Sequence, residues 1–329
     1  MRLKICTKGC PACRQDSSWR AVHADDNAVF MNLSPNMAGA LLMMASMASF
    51  TLNDSLIKST DGALPLMQLL FLRGVLSTLL IFLLARWLGA LHFRIAKRDW
   101  GLICLRSLAE IGAAYFFITA LLNMPLANVT AILQALPLTV AVGAALFFRE
   151  PLGWRRIAAI VLGFCGVLLI VRPGSDGFSI WSAYALCAVI CVTVRDLSTR
   201  RLTSGVPSLT VTLVASLAVT VCAGVASTAT EWAPVTPRLA VLIIGASVFI
   251  IGGYFFSIQV MRVGEISFVA PFRYTGLIWA LVLGWLVFGD WPERLTVLGA
   301  TIVVATGLFT LYREGRLRQA SRVLRNRKK

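Results

Sequence analysis

Seven side chains set in otherwise apolar sequence have the chemistry to hold a charged solute. They are Asn53 and Asp54 in FTLNDSLIK, Arg73 in FLRGVL, Glu110 in LRSLAEIGAAYFF, Gln134 in AILQALPL, and Arg273 with Tyr274 in APFRYTGL. The guanidinium groups present planar forks to an oxyanion. The carboxylates offer a counter-charge to an amine or a carrier for a proton, and the amide and phenol can orient a ligand by hydrogen bonds. An ionisable group within a transmembrane segment is costly unless it faces a cavity or a partner, so each of these residues needs an explanation.

The elements that must position them are membrane helices. Apolar residues make up 58% of the 329 and charged residues 14%, and the mean hydropathy is +0.78, which excludes a water-soluble globule. Ten apolar stretches have the length that a ~30 Å hydrocarbon core requires: about 37–58, 64–87, 102–122, 126–148, 155–171, 180–198, 206–228, 239–262, 265–288 and 294–312. The predicted class is an all-α integral membrane protein, with no room between spans for a soluble catalytic domain. Residues 37–172 make one five-helix half, 173–312 the other, and 313–329 a basic tail.

The net charge of +16 does not point to nucleic acid, because the basic residues lie in short loops and in the tail. With both ends cytoplasmic, the inner side carries Arg86, Arg94, Lys97, Arg98, Arg149, Arg155, Arg156, Arg200, Arg201, Arg262 and eight tail residues. The outer side carries Lys58, Arg172, Arg238 and Arg294. A bias of 18 to 4 selects cytoplasmic termini.

The chain also repeats itself. Tyr115-Phe116-Phe117 falls on Tyr254-Phe255-Phe256 at an offset of 139, Arg149-Glu150-Pro151 on Gly289-Asp290-Trp291 at 140, and Thr51-Leu52-Asn53-Asp54 on Thr193-Val194-Arg195-Asp196 at 142. A period that long suits a duplicated bundle, and five spans per copy make the second half enter from the opposite side, an inverted repeat.

Depth along each span suggests pairings. Asp54 lies roughly 6 Å and Arg73 roughly 13 Å below the outer helix ends, so the two can pair across helices. Glu110 lies about 12 Å from the inner end and Arg273 at a similar depth, which makes them partners or two poles of one site. Arg273 follows Pro271 and precedes Tyr274. Gln134 matches Tyr274 at offset 140, with Pro137 close by, and broken helices at the midplane are where transporters bind solute. The plain alternatives are a structural ion pair for Asp54 with Arg73 and bundle curvature for the two prolines. Arg195-Asp196 and Arg200-Arg201 are expected to anchor the sixth helix. Small residues in the fifth and tenth helices (Gly163, Gly166, Gly299, Gly307) suit close packing or a homodimer contact.

Residues 1–36 read as a disordered extension, or as a start placed too early with Met31 or Met37 as the first residue. Their Cys6, Cys10 and Cys13 have the spacing Cys-x3-Cys-x2-Cys, which resembles the iron–sulfur loop of radical S-adenosylmethionine enzymes, but no β/α barrel follows. No metal or cofactor is expected. Cys187 and Cys191 share a helix face and are read as small buried thiols. HExxH, GxSxG and Walker motifs are missing, and His23 and His92 lie outside the spans.

With NDSLIK ending the first helix, AYFFITAL, PLANVTAILQALPL, LFFREPLGWRRIAAIVLGFCGVLLIVRPG and FGDWPERLTVLGATIVVATGL, the stretch from Met37 to Tyr312 resembles the EamA-type drug/metabolite transporters. FTLNDSLIK, FLRGVL and LRSLAEIGAAYFF look most like the branch that includes S-adenosylmethionine uptake carriers, though many paralogues share such motifs. The resemblance implies a multi-pass secondary carrier of the bacterial inner membrane, working by alternating access on a small polar metabolite. Arg73 has no counterpart at Ala215, so the cavity is expected to be lopsided, with Arg73 and Arg273 meeting an anionic group, Glu110 meeting an amine or coupling proton, and Gln134 and Tyr274 orienting the ligand. A membrane-embedded enzyme and a regulatory scaffold are the competing classes.

Overall fold

The computed structural model describes residues 34–89, 95–149, 153–172, 179–203, 206–263 and 266–327. Cys6, Cys10, Cys13, His23, His92, Arg94, Glu150 with Pro151, and the terminal Lys328 and Lys329 lie outside the described residues. Among the described residues every regular element is helical: α1 Pro35–Lys58, α2 Leu66–Trp87, α3 Lys97–Asn123, α4 Leu126–Leu133, α5 Leu136–Phe148, α6 Trp154–Val171, α7 Ile180–Arg200, α8 Ser208–Ser227, α9 Pro237–Val263, α10 Ile266–Val269, a 3-10 turn Ala270–Tyr274, α11 Thr275–Phe288, and α12 Arg294–Arg327. With α4 and α5 in line, and the 3-10 turn in line with α11, these give ten apolar spans long enough to cross a bilayer. The protein is a multi-pass membrane protein. Leu79, Leu83, Leu108, Leu146, Phe147, Ile190 and Val241 stand exposed on the outside of the bundle, where lipid and not water is their solvent.

The ends of the helices follow from local chemistry. Ser34 caps α1 by accepting from Met37 N at 3.4 Å, and Ser179 caps α7 by accepting from Trp181 N at 3.3 Å. Pro65, Pro125 and Pro207 stand in extended backbone at the head of α2, α4 and α8, where a missing N–H costs nothing. The fourth span ends on Arg149 at φ +53° and the ninth on Gly289 at φ +70°, the two positions matched at offset 140. Glycine takes this left-handed conformation freely and arginine does not.

The fourth and ninth spans are interrupted, at positions that also match. Pro137 has no N–H for the carbonyl of Leu133, and the chain tightens there: Ala135 N bonds to Ile132 O at 3.1 Å and Leu138 N to Ala135 O at 2.9 Å. In the ninth span, Pro271 lies in the 3-10 turn that ends at Tyr274, one copy-length from Gln134.

Packing joins the halves helix by helix. The most extensive contacts are α1 with α9, α3 with α7, α6 with α12, and α2 with α8. Ser46 Oγ donates to Gly253 O at 2.8 Å between α1 and α9. Between α6 and α12 the glycines Gly166 and Gly299 bring the backbones together, so close that a Cβ on Gly299 would stand 2.5 Å from Gly166 O. One end of the bundle is stitched across the halves by side chains. Gln68 donates from Nε2 to Ala233 O at 2.8 Å and accepts from Ala233 N at 2.9 Å. Arg172 meets Glu293 at 2.5 Å, and Phe71 lies edge-on to Trp232 with ring centroids 5.9 Å apart. Lys58 donates to the terminal carbonyls of α3 and its connection, Leu121 O at 3.2 Å and Met124 O at 2.9 Å, and lies 5.4 Å from the ring of Phe288.

Candidate functional site

A cavity of about 90 Å³ opens between α2, α3, α8 and α9, two helices from each half, and is lined by Arg73, Ser77, Arg106, Glu110, Ser216 and Tyr254 among others. It runs from mid-bundle toward the end at which Lys97 and Ser208 stand, away from Gln68 and Lys58. Helical spacing accounts for the lining. Arg73 and Ser77 are one turn apart on α2, and Arg106 and Glu110 one turn apart on α3, so each pair shares a face.

Each charge has a partner behind it. Arg73 donates from Nη2 to Asn53 Oδ1 at 3.3 Å, and Asn53 donates from Nδ2 to Asp54 Oδ1 at 2.8 Å, so Asp54 is linked to Arg73 through the amide. Glu110 Oε1 receives Arg195 Nη1 at 3.4 Å, a link from α3 to α7, while Arg195 Nε holds Asp196 Oδ1 at 2.9 Å. Arg106 is fixed by Thr199 Oγ1 at 2.9 Å and Val211 O at 3.3 Å. Thr78 extends the polar seam from α2 to α8, 2.8 Å from Ser216 Oγ and 3.1 Å from Thr220 Oγ1. The phenol ring of Tyr254 stands edge-on to Phe50 with centroids 5.5 Å apart. Three guanidiniums and three carboxylates, Arg73, Arg106 and Arg195 against Asp54, Glu110 and Asp196, thus form one cluster within the spanning helices. Balanced charge offsets part of the desolvation such burial imposes.

Of the seven residues singled out from sequence, Arg73 and Glu110 line the cavity, and Asn53 with Asp54 supports Arg73. The other three stand apart. Arg273 is exposed, and the partner of Glu110 is Arg195 in its place. Gln134 is buried at the interruption of the fourth span, near Gly276 of α11. Tyr274 is buried against Gly307 of α12, and its hydroxyl has no hydrogen-bond partner. Arg195, expected only to anchor its helix, sits in the cluster, and the offset-142 match of Arg195-Asp196 with Asn53-Asp54 was its signal. Arg106 and Ser77 were findable too, one turn from Glu110 and from Arg73. Because its hydroxyl bonds to nothing, Tyr274→Phe is expected to melt at or slightly above the wild-type temperature in detergent, and a drop of several degrees would contradict this placement.

A larger hollow of about 310 Å³ lies between α4, α11 and α12 and is lined by Ala131, Leu277, Leu281, Val297, Ala300 and Val304 among others. It has no charged side chain in its wall, and the polar side chains there are the hydroxyl-bearing Thr296 and Thr301. The charged side chains line the smaller cavity.

Comparison with known proteins agrees with the helical architecture. The sequence pattern of the EamA-like transporter family matches residues 37–172 and 179–312, one match in each half. The pseudopaline exporter CntI of Pseudomonas aeruginosa is 26% identical over 280 residues, covering 81% of this chain and 93% of its own. An S-adenosylmethionine uptake transporter of Rickettsia conorii is 23% identical over 284 residues, covering 86% and 95%, and a riboflavin transporter of Vibrio cholerae 26% over 276 residues, covering 83% and 92%. A protein of known crystal structure superposes with a TM-score of 0.59 at 16% identity, over 84% of this chain and 97% of that one, which speaks for the fold alone. With both halves matched across nearly the whole membrane part, the chain belongs to the EamA-like transporter family.

Proposed function

We propose that the protein is a secondary carrier of the bacterial inner membrane that moves a small polar metabolite by alternating access around the cavity between α2, α3, α8 and α9. The observation that carries this reading is the placement of Arg73, Arg106 and Glu110 in one cavity at the junction of the halves. Such groups are tolerated in a bilayer where they serve a solute path. An inverted repeat accounts for several matched features together. The left-handed caps at Arg149 and Gly289 coincide at offset 140, as do the interruptions at Gln134 and Tyr274, and each major helix contact has its counterpart under exchange of the halves. Five spans per half then place the copies in opposite orientation, with both termini cytoplasmic by the bias of Lys and Arg.

Arg73 and Glu110 are the residues assigned to substrate, with Arg106 joining them, while Gln134 and Tyr274 sit where the broken spans bend. Transport is coupled to an ion or proton, or runs as exchange. The named relatives differ in solute and in direction, so kinship supports the mode of action and leaves the cargo to the cavity. Reconstituted in proteoliposomes, the purified chain is expected to raise the flux of at least one solute from a panel of amino acids, S-adenosylmethionine and riboflavin above that of empty vesicles. Arg106→Ala is expected to cut that flux at least tenfold. Flux equal to empty vesicles for the whole panel, from protein that melts cooperatively, would overturn the carrier reading for these solutes.

A further inference from the structure

The hollow between α4, α11 and α12 lies apart from the charged cavity and opens toward lipid. Val297, Thr301 and Ala305 of its wall stand one turn apart on α12 and are all exposed, so its mouth is on the outside of the bundle. Across from them lie Ala127 of α4 and Leu281 of α11. Water finds few partners there. The wall carries no charge, and Thr301 Oγ1 already donates to Val297 O at 2.8 Å.

Length, volume and charge together describe one kind of occupant. From Thr296 to Leu308 the α12 wall is roughly 18 Å long at ~1.5 Å per residue, close to the ~15 Å depth of one leaflet of a ~30 Å core. The volume of about 310 Å³ is twice that of a ~150 Å³ apolar cavity that holds a benzene ring, which gives room for about a dozen carbons. Arg294 stands two turns before Thr301 on the same face of α12, exposed, at the head of the stripe that lines the hollow. Its neighbour Glu293 is taken by Arg172, and the exposed Trp291 beside them suits the membrane interface. A cation therefore stands at the interface where an apolar, leaflet-long groove begins.

We propose that this hollow is a lipid site, which takes one acyl chain of an anionic phospholipid whose head-group phosphate meets Arg294. The chain fills apolar space that would otherwise forfeit its dispersion contacts, and the guanidinium fixes the head by charge-assisted hydrogen bonds. Because α4 belongs to one half and α11 and α12 to the other, the bound chain lies across the junction and touches both. The site is independent of which solute the charged cavity takes.

The test uses the purified full-length protein in detergent, with palmitoyl-oleoyl phosphatidylglycerol or phosphatidylcholine of the same chains added singly and the lipid retained per chain read by native mass spectrometry. One phosphatidylglycerol is expected to be retained, about fivefold more tightly than phosphatidylcholine, the scale of one basic side chain acting on an anionic lipid. Glycerol phosphate, the head group without chains, is expected not to displace it. Ala305→Phe closes the mouth of the hollow at an exposed position, so it is expected to melt with the wild type without added lipid and to cut retention at least tenfold. Val248→Phe, on the exposed face of α9, is the control and is expected to retain lipid as the wild type does. Arg294→Gln is expected to bring phosphatidylglycerol down to the level of phosphatidylcholine. The proposal is overturned if Ala305→Phe retains lipid like the wild type, if phosphatidylcholine binds the wild type as tightly as phosphatidylglycerol, or if glycerol phosphate displaces the lipid. A dimer in detergent that Ala305→Phe splits into monomers also overturns it, because the hollow then belongs to a second copy of the chain.

Discussion

Glu110→Ala is expected to abolish transport and to lower the melting temperature. Among the described residues that line the cavity Glu110 is the one carboxylate, and the substitution removes it and takes from Arg195 its contact across to α3. Breaking a buried ion pair costs ~3–5 kcal/mol when the remaining charge has no other partner. Here the two side chains keep 23% and 22% of their surface and Arg195 retains Asp196, so the loss is expected nearer ~1–2 kcal/mol, a shift of several degrees. Glu110→Gln separates the two effects. The amide preserves size and can still accept from Arg195, so the melting temperature is expected to return most of the way, while flux stays at least tenfold below wild type because the charge is gone. Flux at the wild-type rate in Glu110→Gln would remove Glu110 from the substrate path.

The second large effect is structural. Gly299→Leu is expected to prevent a stable fold, because the closest approach between α6 and α12 has no space for a side chain. A Cβ on Gly299 would lie 2.5 Å from Gly166 O and 2.8 Å from Ile170 Cγ1, and one on Gly166 would lie 2.8 Å from Gly299 O. The obstructing atoms include backbone on both sides, so relief requires the helices to part. Without a strong hydrophobic drive between helices in lipid, such contact is a main source of their association. Even Gly299→Ala is expected to cost ~1–3 kcal/mol by overpacking. Gly101→Ala on α3 is the control: nothing lies within 4 Å of its Cβ, and it is expected to melt at or above the wild type. The check is the melting temperature and monodispersity of each variant in detergent, and wild-type melting of Gly299→Leu would contradict the packing.

The spans were legible because a bilayer imposes a length on apolar sequence that no other constraint masks. The expected bounds fall within a few residues of the observed ones for most helices. At α12 and α3 they do not: α12 runs on to Arg327, fifteen residues past the expected end at 312, and α3 begins at Lys97, five residues before the apolar run, where Asp99 is buried and accepts from Thr203 N at 3.3 Å. Hydropathy does not register a polar turn held by a neighbouring loop. The interruptions of the fourth and ninth spans were legible from Pro137 and Pro271, since a missing N–H acts locally.

Charge pairing was less legible, for a geometric reason. Sequence gives a residue's depth along its helix but not the direction in which it points, and Glu110 and Arg273 are similar in the first and different in the second. Arg273 is exposed, while Glu110 faces α7, where Arg195 waits. The internal repeat supplies part of the missing azimuth. Asn53-Asp54 and Arg195-Asp196 occupy matched places and each pair reaches toward a cavity-lining charge, Arg73 in one half and Glu110 in the other.

The reciprocal bonds between Gln68 and Ala233 join the halves at the end of the bundle away from the cavity, through an amide and a peptide group that carry no net charge. Parting them moves no ion through the membrane field, so the work required is the same at any voltage, and added salt does not screen it. Arg172 with Glu293 beside it, whose carboxylate side chain is 72% exposed, does respond to salt. On the carrier reading proposed above, the neutral pair would hold that end with a strength that ionic conditions leave unchanged, while the Arg172–Glu293 pair would weaken as salt rises.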